Sequence, residues 1–188
     1  MTLPPIIRLA ARADAPTLAH LARRTFIETY ASETTPDDLA AYLEQALTLA
    51  TWCDELGRPD HSCLLAVAGP ESIGYAQLRK GFTPPCIRDA APMELARLYV
   101  LERWIGRGVG SRLMQGALDL ATTRGASALW LGVWDRNSRA IAFYRRWGFR
   151  DVGSQLFPLG GAVQTDRVMR RDLQPGVSAL GLPSPAPS

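Results

Sequence analysis

The stretch from Met93 to Thr123 restricts the possible folds more than any other part of the chain. It reads as a strand from Met93 to Val100, a short basic turn from Glu102 to Arg107, and a helix opening on Gly108, Val109 and Gly110. Leu113, Met114, Ala117, Leu118, Leu120 and Ala121 recur at helical spacing, and Gly125 stops the helix. Gly106, Gly108 and Gly110 occupy alternate positions at its start. Glycines there let the backbone take positive φ and let a ligand approach closely. The first amides of a helix lack internal acceptors and sit at the positive end of its dipole. Such a turn reads as a site for phosphate or pyrophosphate, with a plain connection as the alternative. Arg103, Arg107 and Arg112 add positive charge around it.

Two common nucleotide motifs do not fit. The glycines run G-x-G-x-G from Gly106, with Ser111 where a dinucleotide fingerprint has its third glycine. No G-x-x-x-x-G-K-[ST] loop occurs.

Elsewhere the order of elements is mixed α/β. Ile6 to Ala10 reads as a strand, Asp14 as the cap of a helix reaching Tyr30, and Pro36 as the first residue of a second helical region through Leu56. Ser62 to Ala68 and Ile73 to Arg79 form a hairpin pattern. Leu129 to Trp134 is apolar almost throughout, as in a strand covered on both faces. Asn137 caps a helix from Ser138 to Trp147, closed by Gly148. Phe149 to Phe157 and Gln164 to Leu173 complete the strands. A Pro- and Ser-rich tail, 174–188, has the composition of a disordered segment, so residues 1–173 are expected to form one domain.

The 188 residues carry a net charge of +3, mildly basic and without a Lys/Arg run that would mark a nucleic-acid surface. Cys53, Cys63 and Cys86 are odd in number and lack C-x-x-C spacing, which favours free thiols in a reducing, cytoplasmic setting. His20 and His61 are too isolated to form a metal site, and no run of about 18 apolar residues marks a membrane span.

The segment LYVLERWIGRGVGSRLM, followed by LGVWDRNSRAIAFYRRWGF, resembles the acetyl-CoA-binding and strand–helix motifs of the GNAT superfamily of N-acetyltransferases. TFIETYA, IGYAQLR, MELARLYV and FPLGGAVQTDRVMRRDL extend the likeness over residues 4–173, toward a bacterial branch with polyamine-acetylating members. The family pattern is Gln/Arg-x-x-Gly-x-Gly/Ala. Gly108 and Gly110 match it, whereas Ile105 stands where the family has Gln or Arg.

The resemblance implies a GNAT-like sheet of about seven strands with four to five helices, splayed between the fourth and fifth strands. It implies acetyl-CoA as acyl donor, no metal, and direct attack by a primary amine in a ternary complex without an acyl-enzyme. Leu98, Tyr99 and Val100 would pair with the pantetheine arm, and a backbone N–H near Val100 would polarise the thioester carbonyl. Arg103, Arg107, Gly108, Val109, Gly110 and Ser111 would hold the phosphates. Asn137 would bond the cofactor or simply cap its helix. Tyr144 would protonate the leaving thiolate, and Glu94 would serve as base unless it is only a solvated strand end. Phe26, Glu28, Tyr30 and Glu33 would meet the acceptor, with Asp37 and Asp38 nearby. A small, possibly polycationic amine is the expected acceptor. Peptide or lysine acetylation, a non-catalytic acyl-CoA-binding module, and a homodimer stay open.

Overall fold

The computed structural model describes residues 4–173; the sequence-predicted tail, 174–188, lies outside them. The apolar run becomes β5 (Ala128–Trp134), whose first four residues are all buried. On one side it pairs in parallel with β4 (Pro92–Val100), on the other antiparallel with β7 (Ala162–Asp172). β1 (Ile6–Leu9), β2 (His61–Ala68), β3 (Glu71–Arg79) and β6 (Arg150–Leu159) complete a seven-stranded mixed sheet in the order β1-β2-β3-β4-β5-β7-β6.

Five helices cover it. They are α1 (Ala15–Tyr30), α2 (Pro36–Ala46), α3 (Leu49–Glu55), α4 (Val109–Thr123) and α5 (Ser138–Arg146). The second helical region divides into α2 and α3 because Thr48 starts a new cap, accepting a bond from the Thr51 amide at 3.1 Å. Asp14 behaves differently from the sequence expectation. Its carboxylate does not cap α1; it accepts from the Ala11 amide at 2.8 Å and pairs with Arg8 at 2.7 Å, fixing a short 3-10 turn before the helix. The last hairpin is also longer than expected, because Gly160, at φ 63°, turns the chain at once.

Neighbouring residues of β3 show how the layers form. Gly74 faces α4, close to Leu113, while Tyr75 on the opposite face packs edge-on to Trp52 of α3. Leu113, Met114, Ala117 and Ala121 are the buried stripe of α4. Leu18, Ala22 and Phe26 are the corresponding stripe of α1. α4 and α5 end alike. Gly125 and Gly148 take positive φ, and the next amides, of Ala126 and Phe149, return to the Ala121 and Tyr144 carbonyls.

Gly74 is required by a close approach. A Cβ there would stand 2.8 Å from the Tyr99 carbonyl oxygen, 3.2 Å from Val100 and 3.3 Å from Leu113. Gly74→Ala should therefore cost about 1–3 kcal/mol in a urea melt, the usual cost of overpacking a core. A melt indistinguishable from the parent would show that β4 has room to yield.

Candidate active site

The pairing of β4 with β5 stops early. Pro92–Glu94 oppose Ala128–Trp130; beyond Glu94 the strands diverge, leaving the β5-facing edge of Leu95–Val100 without a strand partner among the described residues. Ala96 is an extra residue in β4, since Gln77 opposes Arg97 while Leu78 opposes Leu95. The bulge therefore lies earlier in the strand than Val100, near which the resemblance places the polarising N–H.

A cleft of about 550 Å³ fills the gap. One wall is Leu95–Val100 with Ile105, Gly106, Gly108, Gly110 and Ser111; the other is α5 with Asn137, Arg139, Phe143, Tyr144 and Arg146. Gly106 and Gly108 both stand at φ 80°, a conformation that side-chain-bearing residues rarely adopt. The first return bond of α4 runs from the Arg112 amide to the Gly108 carbonyl at 3.1 Å. The amides of Val109, Gly110 and Ser111 precede it and remain donors at the positive end of the helix.

Leu98, Tyr99, Val100, Gly108, Gly110, Ser111, Asn137 and Tyr144 are thus brought to one cleft. The Val109 side chain is buried beneath the turn and does not line the cleft. Arg103 and Arg107 do not line the cleft. Arg103 is ion-paired with Glu71, and Arg107 lies over the Trp104 ring at 5.5 Å. The cations at the cleft are instead Arg139 and Arg146 of α5, together with Arg97. The α5 pair is marked in the sequence only by its spacing, two arginines seven residues apart on one helix face. Asn137 does cap α5, accepting from the Ala140 amide at 3.1 Å, while also lining the cleft.

Tyr144 is packed between Phe143 and Phe149, with ring centroids 5.5 and 5.9 Å away. Burial, and secondarily Tyr30, raises the affinity of its phenol for its proton. It stays neutral across the physiological range.

A second cavity, of about 380 Å³, adjoins the first and shares Tyr30, Ala96, Arg97, Tyr99 and Gly132 with it. Its walls are aromatic. Phe26 stacks on Tyr42 at 4.4 Å and lies 4.5 Å from Tyr30, and Trp134 and Phe157 complete the lining. Burial pushes the Tyr30 phenol up to about 12.

The carboxylates differ from expectation. Glu94 lines this cavity, but both its oxygens are held by Arg79, at 2.6 and 3.0 Å. Glu28 lines neither cavity; it accepts from Arg24 at 2.9 Å and from the Glu102 amide at 2.8 Å, joining α1 to the turn before α4. Glu33 is exposed in the turn after α1 and lines neither. Asp37 is exposed and Asp38 accepts from the Gly161 amide at 2.6 Å, docking α2 onto the last hairpin. Arg97 is held by Glu55 at 3.0 Å and by the Gln77 side chain at 2.5 Å.

Of the acids lining the second cavity, Asp166 of β7 is the one without an ion-pair partner among the described residues. It is only 6% exposed. Its one side-chain bond is a long contact of 3.4 Å from the Gln164 amide group. Burial first, and Asp135 further, push its carboxyl up to about 6 against the Gln164 contact.

Free amides at a helix start, with arginines across the cleft, suit a phosphate-bearing ligand. The acetyltransferase (GNAT) family model matches residues 18–149, and the chain belongs to this family. It is 34% identical over 160 residues to an uncharacterized N-acetyltransferase of Mycobacterium tuberculosis, covering 85% of this chain and 98% of that protein. It is 36% identical over 121 residues to the N-alpha-acetyltransferase RimI of the same organism, covering 63% of this chain and 70% of the relative. Its fold matches that of the PaiA N-acetyltransferase of Thermoplasma acidophilum, solved with coenzyme A, at a TM-score of 0.72 and 22% identity, over 90% of this chain and 99% of that one. The protein is an acetyl-CoA-dependent N-acetyltransferase.

The buried acid makes stability depend on pH. Its folded-state value of about 6 lies above the ordinary aspartate value of 3.8, so the folded state holds its proton more tightly. Its contribution to stability is complete below pH 4 and is lost as pH rises toward and through 6. Asp166→Asn should therefore gain melting temperature relative to the parent between pH 4 and pH 7.5, in scanning calorimetry. A constant difference across that range would mean that the carboxylate is better solvated than its burial indicates.

Proposed function

We propose that this enzyme, a single domain ending near Leu173, acetylates a primary amine of a small cationic acceptor by direct attack within a ternary complex. The observation that carries the reading is the aromatic cavity opening onto the cleft, where Asp166 is the one charge without an ion-pair partner among the described lining residues. Aromatic faces and an unpaired carboxylate together favour an ammonium ion.

Acetyl-CoA suits the cleft. The free edge of Leu98, Tyr99 and Val100 can bond a pantetheine arm as an added strand would. The amides of Val109, Gly110 and Ser111, flanked by Arg139 and Arg146, offer donors and charge to its phosphates, compensating for Ile105. In this reading Arg103 and Arg107 contribute to the general field, and Asn137 orients α5 while reaching the ligand. Preorganised backbone donors at the β4 bulge would polarise the thioester carbonyl.

Tyr144 is the acid. Its neutral phenol faces the cleft and can protonate the sulfur as the carbon–sulfur bond breaks. None of the three cysteines lines either cavity, which supports transfer without an acyl-enzyme. With both oxygens on Arg79, Glu94 is better suited to holding the cavity wall than to accepting a proton. A second reading, acetylation of a peptide N-terminus, is favoured by the similarity to an N-alpha-acetyltransferase.

The test is release of CoA thiol from acetyl-CoA with spermidine, putrescine, free amino acids and peptides bearing free N-termini. Turnover concentrated on the small cationic amines is expected; turnover on peptides alone would replace this reading by the second. With the best acceptor, Tyr144→Phe should lower kcat by about 100-fold while leaving acetyl-CoA affinity unchanged, because only the proton donor is removed. Full retention of kcat would displace Tyr144 from that role.

A further inference from the structure

Gly132 marks where the two cavities meet. It lines both, and a Cβ built on it would stand 2.7 Å from the Gln155 amide nitrogen and 3.2 Å from an Asp166 carboxylate oxygen. The missing side chain keeps the Asp166 carboxylate open to the junction of the donor cleft and the acceptor cavity. Tyr30, which also lines both cavities, reaches the same place from α1.

The charges around this point leave one role unfilled. On the β3–β4 side, Arg79 is satisfied by Glu94, and Arg97 by Glu55. On the other side, Asp166 faces Gln155 and Gln164 of the last hairpin and Tyr30, with the Asp135 charge close enough to disfavour its ionisation. A buried carboxylate without a cationic partner is costly unless something supplies one. An acceptor ammonium would do so.

We propose that Asp166 is a catalytic residue of the acetyl transfer: it binds the acceptor's ammonium group at the junction and takes the proton that must leave before the nitrogen can attack. This rests on the amine-acetyltransferase reading above and assigns the base within it. The three ammonium protons are then accounted for. One passes to the Asp166 carboxylate and on to water, freeing the lone pair that forms the new carbon–nitrogen bond. A second, lost from nitrogen as the carbon–sulfur bond breaks, restores the proton that Tyr144 gives to the sulfur. The third stays on the amide.

Burial also tunes the group. A carboxyl with its affinity raised to about 6 is still ionised at neutral pH, yet is a better proton acceptor than an exposed aspartate. Turnover should accordingly rise with pH through about 6 as Asp166 ionises.

The experiment compares the parent, Asp166→Asn and Asp166→Glu in kcat/KM from pH 5 to 9, using spermidine and a peptide with a free N-terminus, with acetyl-CoA affinity measured alongside. Asp166→Asn should lose about 100-fold in kcat/KM at pH 7 and lack the acidic limb, with acetyl-CoA affinity retained; raising the pH should recover part of the loss by supplying free amine. Asp166→Glu should recover part of the activity at neutral pH, and it decides the matter if the Asn variant fails to bind acetyl-CoA. An Asn variant with the parent's rate and pH profile would overturn the assignment while leaving the acceptor class standing. A parent active only on peptides, whose activity the Asn change removes, would overturn the small-amine reading and uphold Asp166. A parent that acetylates neither acceptor would sink both.

Discussion

Three residues of parallel pairing, Pro92–Glu94 against Ala128–Trp130, join the two halves of the sheet, and everything functional follows from where that pairing stops. Unpaired strand edges are normally a liability, since each exposed amide and carbonyl seeks a partner. Here the exposed edge of β4 is kept open because both halves are braced independently. β4 is held by β3 along most of its length, and β5 by β7 from Ala128 to Trp134. The two units can part without either losing its own ladder. Neither helix wall alone forms the cleft: the free amides of α4 and the arginines of α5 become one site only because the strands beneath them diverge.

Much of this architecture was legible from residue pattern. The glycine turn, the stripe of α4 and the apolar run of β5 each announce themselves through local spacing, and local spacing governs local structure. The strand–turn–helix unit and α5 both follow from such spacing, and the fold brings Leu98 to Val100, Gly108, Gly110, Ser111, Asn137 and Tyr144 to one cleft. What the pattern could not convey is which distant group a charged side chain meets. Arg103 looks like a phosphate ligand until Glu71, remote in sequence, is seen to hold it. Glu28 looks like an acceptor carboxylate until the Glu102 amide is seen to take it. Asp166 was hidden for the converse reason. In a strand rich in polar residues it resembles a solvent-facing position, and its burial comes from elements far away in the chain.

The electrostatics of the inner cavity follow a simple division. Arginines near it are neutralised by dedicated partners, so they shape the walls without repelling a cation. Tyrosines there are held neutral by burial, contributing ring faces and hydroxyls without charge. What remains is a cavity whose unbalanced charge is a single carboxylate, at the point where donor and acceptor would meet.

The bond from the Glu102 amide to Glu28 makes α1 and the entrance of α4 parts of one mechanical unit. α1 also carries Phe26 and Tyr30, which wall the inner cavity. A displacement of the turn would be carried by this carboxylate to the helix that walls the inner cavity, and a displacement of that helix would be carried back. Thermodynamic reciprocity makes any such influence equal in both directions. Coupling between the two cavities, were a ligand to displace either wall, would run through a glutamate that lines neither of them.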